Sequence, residues 1–271
     1  MRTQLIVNAI RKRKNDTLLE FGEGSVLLID PSLVEKLSLE PDGEFDLALL
    51  LSLNEPYSRK RAAAYALDYL ERSARSTRQL TDHLFSKNIQ ASVISETVDK
   101  LVAKNILNDR DLAERLAGDM IGSGRSLRRT REKLRRRGLD GDTIAESTSF
   151  AEGAIEEGNL KGFIRSKNES LRRYPPLIRK EKLIRSAVSA GFSSSAAARE
   201  ADGITRGEDP SEYGDYYRAL GEKRLRELEK KDLSRRELTG RFTSEMLAKG
   251  CPRRIIDECL QKAQNGRKDP E

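Results

Sequence analysis

The chain has 271 residues, of which 37% are hydrophobic, 5% aromatic and 35% charged, with no tryptophan. That is long enough for two or three compact domains, but too poor in apolar bulk for one large spherical core; a repeat array, each unit burying one face against the next, tolerates it. A net charge of +7, from 51 Lys plus Arg against 44 Asp plus Glu, is modest overall. Two cysteines and one histidine exclude a standard zinc site. There is no apolar run of about 18 residues and no signal-peptide core, which predicts a soluble, cytoplasmic protein with no membrane contact and reduced thiols at Cys251 and Cys259.

Residues 1–57 differ from the rest. Thr3–Ile10, Thr17–Phe21 and Ser25–Ile29 are β-leaning, and Gly22-Glu23-Gly24 supplies a turn, so a small antiparallel sheet of three strands is expected. Asp30 followed by Pro31 then opens a helix through Leu37, since Asp caps and Pro suits the first helical position.

From Ser58 onward helical periodicity takes over, and a repeat emerges within it. Asn88, Gly138, Gly191 and Gly250 stand where four middle helices end. One residue later come Ile89, Leu139, Phe192 and Cys251; four earlier, Leu84, Leu134, Ala187 and Met246; six later, Ile94, Ile144, Ala197 and Ile256. Gly or Asn takes the left-handed conformation that ends a helix, and the next apolar residue folds back on the last turn. The expected fold is mainly α: an elongated tandem array of three-helix repeats, three to four units, after a small N-terminal antiparallel β segment. The units are placed at 58–105, 106–149, 150–204 and 210–264, with a polar linker at Gly203–Asp209 and a frayed tail NGRKDPE.

The segment AAAYALDYLERSARSTRQLTDHLFSKNI resembles the opening unit of the RecX family, and NILNDRDLAERLAGDMIGSGRSLRRTREKLRRRGLD resembles its second. FGEGSVLLIDPSLVEKLSLEPDGEF is similar to the family's short sheet region, and VSAGFSSSAA to its third unit. The likeness covers residues 1–203 and is densest at 60–145. Asn88 and Asn105 stand where the family usually has Gly, and Ala190 where it favours a basic residue; the fourth unit rests on the repeat anchors alone. The resemblance implies a curved array of three-helix units lying along the groove of the RecA–DNA filament. It also implies inhibition of that recombinase's ATPase and strand exchange in recombination and DNA repair. The RecA partner follows from the resemblance and not from composition or spacing.

Two groups of basic residues are candidates for contact with the filament or nucleic acid. Arg125, Arg128, Arg129, Arg131, Lys133, Arg135, Arg136 and Arg137 crowd one helix beside a single acid, Glu132. Leu127, Thr130 and Leu134 form its inward stripe, which turns Arg128, Arg129, Arg135 and Arg136 outward. Arginine forks bind phosphate or carboxylate; the competing reading is a solvated charged face. The second group is Arg72, Arg75 and Arg78, around a turn where Ser76 and Gln79 make a capping box. His83 has no nucleophile or paired carboxylate motif beside it, and Asn108-Asp109 reads as a helix cap, Asn108 with Asp111 as a short capping-box variant. Gly118, Gly122 and Gly124 lack the lysine and strand that a phosphate loop needs. The expectation is a monomeric, non-enzymatic regulator with no catalytic residue, metal or cofactor. Its partners would be the RecA filament and DNA, the latter through the filament or directly. The alternative is a stand-alone helical DNA-binding regulator.

Overall fold

A computed structural model describes residues 4–13, 16–231 and 233–265. Thr3 and residues 266–271 of the expected frayed tail lie outside them. The sheet has four strands rather than three: β1 (Gln4–Lys12), β2 (Thr17–Phe21), β3 (Ser25–Ile29) and β4 (Glu44–Asp46), in the order β3-β2-β1-β4, all neighbours antiparallel. The fourth is only three residues long and pairs with β1 through Phe45 opposite Leu5, too short to register as a periodic signal. Alternation divides the sheet's side chains between two cores. Leu19, Leu27 and Ile29 face Leu33 of α1 (Pro31–Lys36) together with Val7, Phe45 and Leu50. Leu18 and Leu28, on the other face, join Leu80, Leu84, Val93 and Ile94. The β segment is therefore part of the first helical core. As expected, Asp30 caps α1, its carboxylate accepting from Ser32 N at 2.9 Å.

α2 (Leu47–Arg72) starts eleven residues before the helix read from the sequence and runs without a break through residues 57 and 58. Asp46 caps it by accepting from Ala48 N and Leu49 N, and Pro56 is held inside. Its buried stripe explains the length: Leu50, Asn54, Ser58, Ala62 and Ala66 recur every four residues. Two of the five are polar, so hydrophobic periodicity alone missed the first half. Asn54 binds both edges of the β3 end, donating to Leu28 O at 2.8 Å and accepting from Asp30 N at 2.9 Å.

After α2 come α3 (Thr77–Ser86), α4 (Ala91–Ala103), α5 (Asp109–Gly122), α6 (Leu127–Arg136) and α7 (Gly141–Thr148). α8 (Ala154–Leu171), α9 (Pro176–Ser189), α10 (Ser194–Thr205), α11 (Gly214–Glu229), α12 (Arg235–Ala248) and α13 (Arg253–Asn265) follow. By contacts the chain forms two compact units, Met1–Asp119 with Arg131–Phe150, and Met120–Thr130 with Ala151–Glu271. In the second, α8–α10 close over Leu160, Ile164, Leu183, Ala187 and Phe192. α11–α13 close over Tyr217, Leu225, Phe242, Met246 and Ile256. Gly203–Thr205 belong to α10, so the expected linker shrinks to residues 206–209. It is tied down, because buried Arg179 pairs with Glu208 and donates to Tyr213 Oη at 3.3 Å.

The four repeat anchors behave alike. Asn88, Gly138, Gly191 and Gly250 have φ of 59°, 81°, 95° and 75°. The next amide in each case returns to the carbonyl five residues before it: Ile89 to Leu84, Leu139 to Leu134, Phe192 to Ala187, Cys251 to Met246. Each anchor's own N–H binds the carbonyl three residues before it, as in Asn88 to Phe85. That pair of bonds is the Schellman closure. Leu84, Leu134, Ala187 and Met246 are all fully buried.

Candidate functional site

The helix ends organise the candidate arginines. At the start of α3, Ser76 accepts from Gln79 N at 3.2 Å, and its hydroxyl donates to the carbonyl of Arg137, just past the end of α6. Thr77 N, another donor that an isolated helix leaves unpaired, meets the Asp109 carboxylate of α5 at 2.8 Å. Arg137 Nη1 reaches back to Ala74 O at 3.3 Å. Gly138 lies so close to Arg78 that an added Cβ would stand 2.8 Å from the arginine's own Cβ.

The second unit repeats the arrangement at the start of α6. Ser126 donates to Ala190 O at 2.7 Å, Leu127 N meets the Glu156 carboxylate of α8 at 2.9 Å, and Arg129 Nη2 donates to Ser189 O at 2.7 Å. A third joint, at the start of α9, differs in its donor: Tyr217 Oη, not a serine, donates to the carbonyl of Lys249 just before Gly250, at 3.2 Å. Pro175 and Pro176 have no amide hydrogen to satisfy, and the Cβ of Leu177 lies 3.3 Å from where a Cβ on Gly250 would be. In the first two joints the positive N-terminus of one middle helix faces the negative C-terminus of another, a favourable dipole arrangement.

These joints sort the predicted residues. Arg129 and Arg137 bind backbone carbonyls, and Arg131 Nε donates to Thr148 Oγ1 at 2.9 Å. Arg125, Arg128, Lys133, Arg135 and Arg136 are exposed, while Thr130 and Leu134 are buried and Leu127 is half-buried, as the stripe required. Lys133, Arg135 and Arg136 face no carboxylate among the described residues. In the other group, Arg72 is exposed and pairs with Asp68 at 2.9 Å, an interaction worth little in solvent. The Arg75 guanidinium lies 4.5 Å from the centroid of Tyr69, whose ring stacks on His83 at 4.0 Å and 3°. Burial, then the charge of Lys87, holds the His83 imidazole below its usual pKa. Arg75, Arg78 and Arg137 thus meet at one joint of the first unit, which their separation in sequence did not announce.

Glu156, Asn159 and Tyr69 were not singled out from the sequence, and Asp109 was read there only as part of a helix cap. Asn108 does cap α5, accepting from Asp111 N at 3.0 Å, and this leaves Asp109 available for α3. Asn159 donates to Ile121 O at 2.9 Å and to Arg125 O at 3.2 Å, holding the turn before α6. No helix among the described residues is long and apolar enough to cross a membrane.

Residues 62–101 match a family model described as "RecX, first three-helix domain". A regulatory protein RecX of Thermobifida fusca (strain YX) is 30% identical over 151 residues, 53% of this chain and 82% of that protein. The regulatory protein RecX of Streptococcus pyogenes serotype M5 (strain Manfredo) is 22% identical over 83% of this chain and 87% of its own. Among solved structures, a "Crystal structure of regulatory protein RecX" superposes with a TM-score of 0.51 at 18% identity. It covers 73% of this chain and 99% of that one, and shows the shared fold.

Proposed function

The chain belongs to the RecX family of regulatory proteins, and on that basis we propose that it binds the RecA–DNA filament and inhibits its ATPase and strand exchange without catalysing a reaction itself. The observation that carries the reading is the exposed row on α6. Lys133, Arg135 and Arg136 face no carboxylate among the described residues, while Arg131 and Arg137 beside them are engaged by Thr148 Oγ1 and Ala74 O. A helix end presenting two guanidinium groups and an ammonium suits a polyanion, either DNA phosphate or an acidic filament surface. Arg72, Arg75 and Arg78 extend this surface in the same proposal. The division into units at 58–105, 106–149, 150–204 and 210–264 belongs to the same proposal, with α2 carrying the first unit back to Leu47; the recurring joint supports the repeat rather than these bounds. The partners would be the RecA filament and DNA, in the cytoplasm, with the chain acting as a monomer. The test is the ATPase of the host's RecA on single-stranded DNA during titration of this protein. Dose-dependent inhibition is expected. An unaffected ATPase together with a sequence-specific footprint on naked duplex would instead identify a stand-alone DNA-binding regulator.

A further inference from the structure

α2 and α4 leave a groove between them that the α6 arginines do not touch. Its floor is made by small or half-buried residues, Ala63, Ala66, Thr97 and Leu101, and its sides by Leu67 and Ile106, which are 57% and 52% exposed. The spacing produces it: Ala63 and Ala66 put methyl groups where longer side chains would fill the space between the helices, and Leu67 continues the same face. The cavity measures about 240 Å³, below the roughly 300–1,000 Å³ of small-molecule pockets. It has room for a bulky side chain rather than a metabolite.

The charges around it are unbalanced. Arg59, Lys100 and Lys104 line the groove with one acid, Glu96, and Arg59 is paired a second time, to Glu55 at 2.8 Å, so the excess positive charge lies at the Lys104 end. Glu96 is already held by Arg59 at 2.8 Å and Lys100 at 2.7 Å, and these two cations pull its carboxyl below the ordinary range. Lys104, at the end of α4, has no carboxylate partner among the described residues and stands beside exposed Ile106.

We propose that this groove is a docking site for an acidic peptide segment of a protein partner, anchored by one bulky apolar side chain between Ala63 and Ile106. The segment's carboxylates would meet Lys104 and Lys100. An apolar side chain supplies affinity by filling the cleft, and the lysines select the sign of the flanking charges. Two exposed apolar walls beside an unneutralised lysine fit that chemistry better than they fit a nucleic-acid strand, whose phosphates would lose hydration against the walls with no cation on the floor to compensate. The groove and α6 are separate surfaces, so either works without the other.

The experiment is fluorescence anisotropy of the full chain with three labelled peptides: DDELFEDD, its anchorless form DDESSEDD, and the basic form KKRLFRKK. Saturable binding of the first is expected, with both others weaker by about tenfold, the scale of a single anchoring contact. Ala63→Trp fills the cleft from an exposed position and Lys104→Glu reverses the rim charge, and each should weaken DDELFEDD by about tenfold. Circular dichroism checks both variants, and the two are independent should one fail to fold. Equal binding of DDELFEDD and DDESSEDD, binding unchanged in the folded variants, or no binding of DDELFEDD would each overturn the proposal. The first two outcomes would place the acidic peptide on a merely basic surface such as α6.

Discussion

Ser126 donates its hydroxyl hydrogen to the carbonyl of Ala190 at 2.7 Å while the same oxygen accepts from Arg129 N at 3.4 Å. One side chain thus caps the start of α6 and satisfies a carbonyl at the end of α9, and it is almost completely buried. Ser126→Ala removes both bonds and leaves the carbonyl of half-buried Ala190 without this donor. A loss of about 1–3 kcal/mol is expected, at the upper end for a lost cap. Chemical denaturation of the folded variant would measure it. A midpoint equal to the parent's would mean that the joint is held by other contacts.

Gly191, the next residue, is constrained twice. Its φ of 95° disfavours any side chain, and an added Cβ would lie 2.5 Å from Ser126 Oγ and 3.0 Å from Arg129 Cγ. Gly207 has a similar φ of 83° but open space around it. Gly207→Ala should therefore cost about 1 kcal/mol, the backbone penalty alone, and Gly191→Ala distinctly more, because Ser126 must move and break its bond. Thermal melts of the two variants side by side decide it; equal losses would show that the close approach is relieved at little cost.

Much of this architecture was legible beforehand, and for an identifiable reason. Asn88, Gly138, Gly191 and Gly250 each combine a left-handed residue with apolar neighbours at fixed offsets, so every repeat writes its helix end into the local sequence. The beginning of α2 was not legible, because its buried stripe includes Asn54 and Ser58 and its interior includes Pro56. Nor was the pairing of Ser76 with Arg137 or of Thr77 with Asp109, where a helix end meets residues 32 to 61 positions away. The basic face of α6 could be recognised as a face. Which of its arginines serve the joint and which remain exposed depends on Ser189, Ala74 and Thr148, none of which carries a local signal.

Acid should loosen the α9–α10 contact through Asp202. Lys180 and Arg206 both bind its carboxylate, and their hydrogen bonds hold its pKa down at about 2 from an ordinary 3.8. A carboxyl whose folded pKa is depressed contributes stability that is complete above its unfolded value and is lost as pH falls toward the folded one. The contribution should therefore be present above pH 4 and disappear between about pH 4 and 2. Asp202→Asn should flatten the stability profile in that interval and leave its shape above pH 6 unchanged. Because the pair is solvent-accessible, added salt should shrink the difference. An identical acid limb in both proteins would remove Asp202 from the account.

On α6 the structure separates two kinds of arginine, and their variants should fail differently. Lys133, Arg135 and Arg136 are exposed and meet no carboxylate among the described residues, so changing all three to Glu should leave the helical signal intact and abolish inhibition of the RecA ATPase. Arg129→Ala removes the bond to Ser189 O and should lower stability as well as inhibition, by about 1 kcal/mol for the lost charged hydrogen bond and its packing. If the exposed residues meet phosphate, parental binding should weaken by about 0.7–0.9 log units per log unit of salt for each phosphate neutralised. The corresponding set of alanine variants should flatten that slope, whereas a contact with an acidic protein surface would give a milder salt response. Circular dichroism and a melt establish that each variant is folded before its activity is compared. Full inhibition by the folded Lys133, Arg135 and Arg136 to Glu variant would reduce α6 to a solvated charged face. The filament contact would then have to lie with Arg72, Arg75 and Arg78, where the same three measurements can be repeated.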